Sequence, residues 1–188
     1  YIPMSSGLSS SCETATLLAQ QFDGKVQVVN NQRISLTQRQ SVYDAMTLRD
    51  QGKSAKEIKD ILEAEKFNSS IYIMVGSLDY LKRGGRVTPA ATLLGGLLRI
   101  RPILQIQGEK LDAFAKARSL KAAKKIMFDA LHKDLDGRFK PFVDKKEMEV
   151  YISYTHGQPE QVKQWFEEVK TEFSDFNVTQ DPLSLSIS

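Results

Sequence analysis

Near the start of the chain, Met4-Ser5-Ser6-Gly7-Leu8-Ser9-Ser10-Ser11 gathers hydroxyls between the apolar Tyr1-Ile2-Pro3 and a helical stretch from Thr14 to Gln21. A turn that enters a helix offers backbone N–H groups without intrahelical partners and a partial positive charge, and hydroxyls add rotatable donors. Such a cradle suits a carboxylate or a phosphate. The same serines are also good helix caps, and Ser9 to Ser11 need no other purpose than that. No general base stands nearby, and the nucleophile-elbow pattern G-x-S-x-G is absent from the chain.

A second candidate is Lys82-Arg83-Gly84-Gly85-Arg86-Val87-Thr88-Pro89. Paired glycines permit a sharp turn or a close backbone approach, and the flanking cations suit an anionic group. The bland alternative is the end of one helix and the cap of the next. Gly52-Lys53-Ser54 resembles the end of a phosphate-binding loop, yet Thr47 stands where the first glycine belongs, so the triplet reads as a helix break. Cys12, the single cysteine, reads as a small core residue. His132 and His156 lack partners at metal-ligand spacing. His132 is expected at an exposed helix end, and His156 at a strand end. Neither a metal nor a catalytic constellation is expected.

The elements that must position these groups follow from periodicity. Tyr1 to Met4 reads as the end of a buried strand and Lys25 to Val29 as another. Gln38 to Gln51 is an amphipathic helix with Val42, Ala45, Met46 and Arg49 at helical spacing, ended by Gly52 as a left-handed cap. Ser54 and Glu57 form a capping box ahead of a helix burying Ile58, Ile61 and Leu62. Ile71 to Val75 is continuously apolar, as in a strand covered on both faces of a parallel sheet. This alternation over residues 1–80 predicts an α/β layer architecture.

Thr88-Pro89 opens a helix whose residues Ala90 to Leu98 are apolar nearly all round, so it is expected to be buried or to face a greasy cavity. Gly108-Glu109 is the turn of a hairpin between Arg101–Ile106 and Lys110–Ala115. Ser119 caps a helix carrying Ala122, Ala123, Ile126, Met127 and Ala130 on one side. Met148, Val150, Ile152 and Tyr154 alternate as a half-buried strand. The helix after Pro159 buries Val162, Trp165, Phe166, Val169 and Phe173, and Leu183, Leu185 and Ile187 form a last strand.

The chain has 188 residues, 41% of them hydrophobic, which is enough for one large domain or parts of two. It has no apolar run long enough for a membrane span and no visible secretory signal, so a cytoplasmic setting is expected. Between Asp79 and Lys125, eleven Lys or Arg face three Asp or Glu, a local balance of +8 within a net charge of +3. That block could meet nucleic acid, an anionic membrane surface or an acidic partner, or be an ordinary solvated face.

Four stretches resemble the DegV family of bacterial fatty-acid-binding proteins. They are Ile2-Pro3-Met4-Ser5-Ser6-Gly7-Leu8-Ser9 with Ala15, Leu78 to Val87, Leu94 to Leu104, and Lys116-Ala117-Arg118-Ser119-Leu120-Lys121-Ala122. The resemblance implies a two-domain α/β fold. Residues 1–82 would be the C-terminal part of a parallel-sheet first domain, and 83–188 a second α/β domain incomplete at its C-terminus. It also implies a long-chain fatty acid between the domains, its carboxylate held by a serine of the turn, a threonine from an earlier segment and a histidine from a later one. Only the serine has a counterpart here, and Ser5 and Ser6 both match.

On this reading Ser5, Ser6, Gly7 and Ser9 are expected to bind the ligand, with Leu93, Leu94, Leu97 and Leu98 lining the acyl chain. Arg83, Arg86, Arg99 and Arg101 are expected to meet a partner or, transiently, a membrane. The resemblance implies a carrier without catalysis or cofactor, presenting fatty acid to a separate fatty acid kinase for phospholipid synthesis. This chain departs from the family at Ser10-Ser11-Cys12-Glu13, where Gly-Thr-Tyr-Gln is usual, and at Asn30-Asn31, where Asp-Ser is usual. Two other classes compete. One is an enzyme on a phosphorylated small molecule, with phosphate in the Ser turn and Arg86 assisting. The other is nucleic-acid binding through the basic block, which lacks the interleaved aromatics that stacking on single strands requires.

Overall fold

The computed structural model describes residues 1–93, 100–155 and 159–183. They form two compact units, Tyr1–Met127 and Phe128–Ser188. The expected boundary after residue 82 falls inside the first.

The first unit carries helices α1 (Ser11–Ala19), α2 (Ser35–Asp50) and α3 (Ala55–Ala64), then strand β1 (Ile71–Met74), the short helices α4 (Asp79–Arg83) and α5 (Pro89–Leu93), and strands β2 (Arg101–Ile106) and β3 (Asp112–Ala117). Helix α6 (Leu120–Asp136) follows, its N-terminus capped by Ser119, whose Oγ accepts from the Ala122 N–H at 3.1 Å. The sheet has the order β1-β2-β3 and both pairings are antiparallel, with Ile71 opposite Ile106 and Arg101 opposite Ala117.

The α/β layering expected from the sequence is present, but the parallel first sheet is not found among the described residues. Apolar periodicity reports which faces of a strand are buried and is silent on the direction of its neighbour. Side chains from both faces of β1 take part in packing, Ile71 and Ile73, with Val75 just beyond the strand, against one core cluster and Met74 against a second, and both faces of β2 are covered too. Leu104 and Ile106 join Leu8, Leu78, Val87, Ala91 and Leu111 in one core cluster, while Ile103 packs with Ala117 and Ala123 in another that includes Ile126 and Met127.

Two further expectations need correction. Tyr1–Met4 and Lys25–Val29 form no named strand. Tyr1 N donates to the Gln27 carbonyl at 2.8 Å and Val29 N to the Tyr1 carbonyl at 2.9 Å, yet Pro3 has no N–H with which to extend a ladder. Helix α2 buries Leu36 and Ser41, whereas Val42 and Met46 are 42% and 46% exposed. Its buried face carries Ser41 as well as Leu36 because Arg33 reaches Ser41 from outside the helix, a contact that hydrophobic spacing does not mark. Asn177–Pro182 form strand β5, and the strand expected over Leu183, Leu185 and Ile187 lies, apart from Leu183, outside the described residues.

The second unit contains α7 (Lys140–Asp144), β4 (Glu149–Tyr154), α8 (Pro159–Glu172) and β5, with β4 and β5 paired in parallel. Val150, Ile152, Val169 and Phe173 form its core, and Trp165 stacks on Phe128 at 5.3 Å between ring centroids. β4 alternates as its sequence predicts. β5 escaped notice because its only aliphatic side chain on the core is Val178.

Candidate functional site

The Ser turn is fastened from below and from the side. Leu8 anchors it in the first core cluster. Ser5 N donates to the Arg33 carbonyl at 3.0 Å, while Leu8 N and Ser9 N both donate to the Ser5 carbonyl, at 2.9 and 3.1 Å. These bonds close a tight turn before α1. Ser9 Oγ accepts from Ser11 N at 3.2 Å and donates to Ser11 Oγ at 3.0 Å, so Ser9 satisfies the first N–H of α1, while Ser10 at the N-cap makes no side-chain capping bond.

The two candidate hydroxyls differ sharply. Ser5 is 1% exposed, and its Oγ donates to the Glu109 carbonyl at 2.8 Å. Ser6 is half-buried; its Oγ accepts from Asn30 Nδ2 at 2.9 Å, and its N–H donates to Asn30 Oδ1 at 3.4 Å. No described residue accepts the Ser6 hydroxyl proton or the Gly7 N–H. Gly7 must be glycine, because a Cβ there would stand 2.6 Å from both Cβ and O of Glu109.

The Gly-Gly-Arg stretch and the Ser turn, remote in sequence, come together. Gly85 adopts φ +67°, which ends α4, and Arg86 turns back with Nη1 on the Gly84 carbonyl at 2.6 Å and Nε on the Leu8 carbonyl at 3.4 Å. Arg86 thus brings a permanent positive charge to the edge of the turn. Thr88 Oγ1 caps α5 by accepting from Ala91 N at 3.2 Å, as its sequence predicts.

Of the other expected cations, Arg83 is exposed, over the Tyr80 ring at 5.1 Å, and Arg101 is exposed at the start of β2. Leu93 is 79% exposed, unlike a side chain enclosed by the described residues. Leu94, Leu97, Leu98, Arg99 and His156 lie outside the described residues. His132 has a partner its sequence did not reveal, Nε2 lying 2.8 Å from Glu172 Oε1 and the ring stacking on Phe173. Cys12 is buried, and burial pushes its thiol above the ordinary value.

Sequence reasoning missed the loop Asn30–Arg33 as part of the site. Arg33 is buried, and its guanidinium reaches Ser41 Oγ at 3.3 Å, the Glu65 carbonyl at 3.1 Å and Asp44 at 3.7 Å. Asn31 Nδ2 donates to the same Ser41 Oγ at 2.7 Å. The only signal was the Asn30-Asn31 departure itself, because nothing local says that a side chain 24 positions away will face Ser6.

A hollow of about 270 Å³ lies beside the hairpin tip, lined by Thr88, Gln105, Glu109, Lys110 and Asp112 among others. Its polar walls do not suit an acyl chain. Among the described residues no group of three or more His, Cys, Asp or Glu is placed to hold a metal, and no helix is long and apolar enough to cross a membrane.

These features define an α/β protein with a donor-bearing turn at a helix start, open to an anionic group. The chain belongs to the DegV family, whose model, described as an uncharacterised protein family, matches residues 1–188. A DegV domain-containing protein of Clostridium perfringens is 31% identical over 161 residues, 82% of this chain and 53% of the relative. The chain spans about half the length of the curated relatives it matches. Among solved structures, a DegV family protein from Thermus thermophilus described by its fatty-acid binding is 28% identical, with a TM-score of 0.71 over 96% of this chain and 62% of that one. A stearic-acid-binding protein from Eubacterium ventriosum shares the fold at 22% identity, with a TM-score of 0.78 over 95% of this chain and 60% of that one. Both solved relatives are described by their binding of fatty acid.

Proposed function

We propose that this protein binds a long-chain fatty acid by its carboxylate at the Ser turn. The observation that carries the reading is the pair of donors at Ser6 Oγ and Gly7 N that no described residue takes, near the Arg86 charge and the N-terminus of α1. Ser6, rather than Ser5, supplies the hydroxyl; Ser5 and Ser9 hold the turn in shape. The fatty-acid binding described for the relative from Thermus thermophilus supports the same choice of ligand. Burying an acyl chain yields about 0.8 kcal/mol per CH₂, which offsets the ordering of a long tail. The apolar run of Leu93, Leu94, Leu97 and Leu98 is our candidate for its lining, on the sequence alone.

The carrier presents its fatty acid to a separate kinase in the cytoplasm for phospholipid synthesis. That step rests on the family resemblance and on the exposed cations Arg83 and Arg101, suited to an acidic partner or an anionic membrane. Native mass spectrometry of the gently purified protein tests the ligand. A mass increment matching a long-chain fatty acid is expected, and a protein that arrives empty and takes up no added oleate would overturn the reading.

A further inference from the structure

We infer that a buried water molecule binds between Arg33 Nε and Asn31 Oδ1 and braces the strained loop from which the Ser turn hangs. The inference concerns how the turn is held and stands whatever the turn binds.

Three consecutive residues of the loop each have a buried polar atom without a partner among the described residues: Asn31 Oδ1, Gln32 Oε1 and Arg33 Nε. Gln32 turns to the hairpin tip, where its Nε2 donates to Glu109 Oε1 at 3.2 Å. Asn31 and Arg33 turn instead to Ser41 of α2. Asn31 is fully buried and Arg33 is 6% exposed, so bulk solvent does not serve either atom. A buried donor or acceptor costs folding free energy until it is given a partner.

The hydroxyl of Ser41 settles which atoms are unmet. Ser41 Oγ gives its own proton to the Thr37 carbonyl at 3.1 Å, so toward Asn31 and Arg33 it can only accept. The Asn31 atom on it, at 2.7 Å, is therefore Nδ2, which leaves Oδ1 as an acceptor. Arg33 Nη1 reaches the same Oγ at 3.3 Å and Nη2 the Glu65 carbonyl at 3.1 Å, which leaves Nε as a donor. Both unmet atoms thus belong to groups that converge on one oxygen. Oδ1 is two covalent bonds from Nδ2, and Nε is two from Nη1.

The missing partner must accept from Nε and donate to Oδ1. An anion can do only the first, and Asp44 Oδ2, 3.7 Å from Nη1, already supplies negative charge. A metal cation can do only the second, and it would face the guanidinium. Water does both. The loop has reason to need it. Gln32 at φ +58° and Ser35 at φ +54°, conformations that non-glycine residues seldom adopt, flank Arg33. The Arg33 carbonyl in turn accepts from Ser5 N at 3.0 Å, so a brace on Arg33 is a brace on the turn.

The test reads the Arg33 Nε–H resonance of the protein labelled with ¹⁵N at arginine, assigned by its loss in R33K. Water-selective NOE and ROE spectra are recorded at mildly acid pH, where exchange with solvent is slow. The expected result is a cross-peak to water of opposite sign in the two spectra, the mark of a molecule that stays longer than the protein takes to tumble. In N31V, which keeps Arg33 and removes the acceptor, that peak should weaken several-fold. No dipolar cross-peak in the parent, or an Arg33 resonance that shifts saturably with added chloride, would overturn the inference. So would a peak unchanged in N31V. Should N31V fail to fold by circular dichroism, a high-resolution crystal structure of the parent decides. Density within hydrogen-bond distance of both Nε and Oδ1 is expected; a direct bond between the two atoms, or no density there, would overturn it.

Discussion

The Ser5 hydroxyl donates to the Glu109 carbonyl at 2.8 Å, joining the head of the chain to the tip of the β2–β3 hairpin across 104 residues. The contact converts two loops into one body. It leaves the neighbouring Ser6 as the hydroxyl with a proton to give, and it explains why Gly7, pressed against Glu109, can carry no side chain.

Gly7→Ala places a methyl group 2.6 Å from Glu109, against backbone as well as side chain. The hairpin tip must shift, and the Ser5–Glu109 bond must stretch or break. The expected loss is about 1–3 kcal/mol of stability, measured by urea unfolding, with weakened fatty-acid binding.

Arg33→Met should be destabilising although it removes a buried charge. Arg33 Nη1 and Nη2 hold Ser41 Oγ and the Glu65 carbonyl, and its own carbonyl holds Ser5 N. Losing the guanidinium removes its bonds to Ser41 Oγ and the Glu65 carbonyl and its ion pair with Asp44, at about 2 kcal/mol in denaturant unfolding. Oleate affinity should fall too, because the Asn30–Arg33 loop is loosened.

The N-terminus of α3 makes stability depend on pH in a defined sense. The backbone N–H of Ser54 and then its hydroxyl, both bonded to Glu57, hold that carboxyl below its ordinary value. A carboxyl whose folded value is depressed stabilises above the unfolded value, about 4.3, and loses that contribution as pH falls through the folded one. E57Q should therefore melt below the parent at pH 7, with the gap closing under pH 4. A constant gap would contradict the assignment.

Where one side chain decides a local structure, the sequence was legible. Gly52 at φ +83°, the Ser54–Glu57 box, the Ser119 cap and the turn at Gly108-Glu109 all follow from residues a few positions apart. The direction of the first sheet was not, because Ile71 to Val75 is apolar under either pairing. Nor was the polar face of α2, since Ser41 is buried only because Arg33 and Asn31 reach it from outside the helix. The candidate site divides in the same way. The Ser turn and the Gly84-Gly85-Arg86 motif were visible as separate pieces; their meeting through Arg86 and Leu8, and the part taken by Asn30, needed the folded chain.

The claim that a carboxylate sits in the Ser turn is tested most directly by NMR of the ¹⁵N-labelled protein titrated with palmitate carrying ¹³C at its carboxyl carbon. The account predicts that the Ser6 and Gly7 amide resonances shift most, and that the bound carboxyl resonance is that of an ionised group at neutral pH. Saturable palmitate binding that leaves both amides unmoved would contradict it.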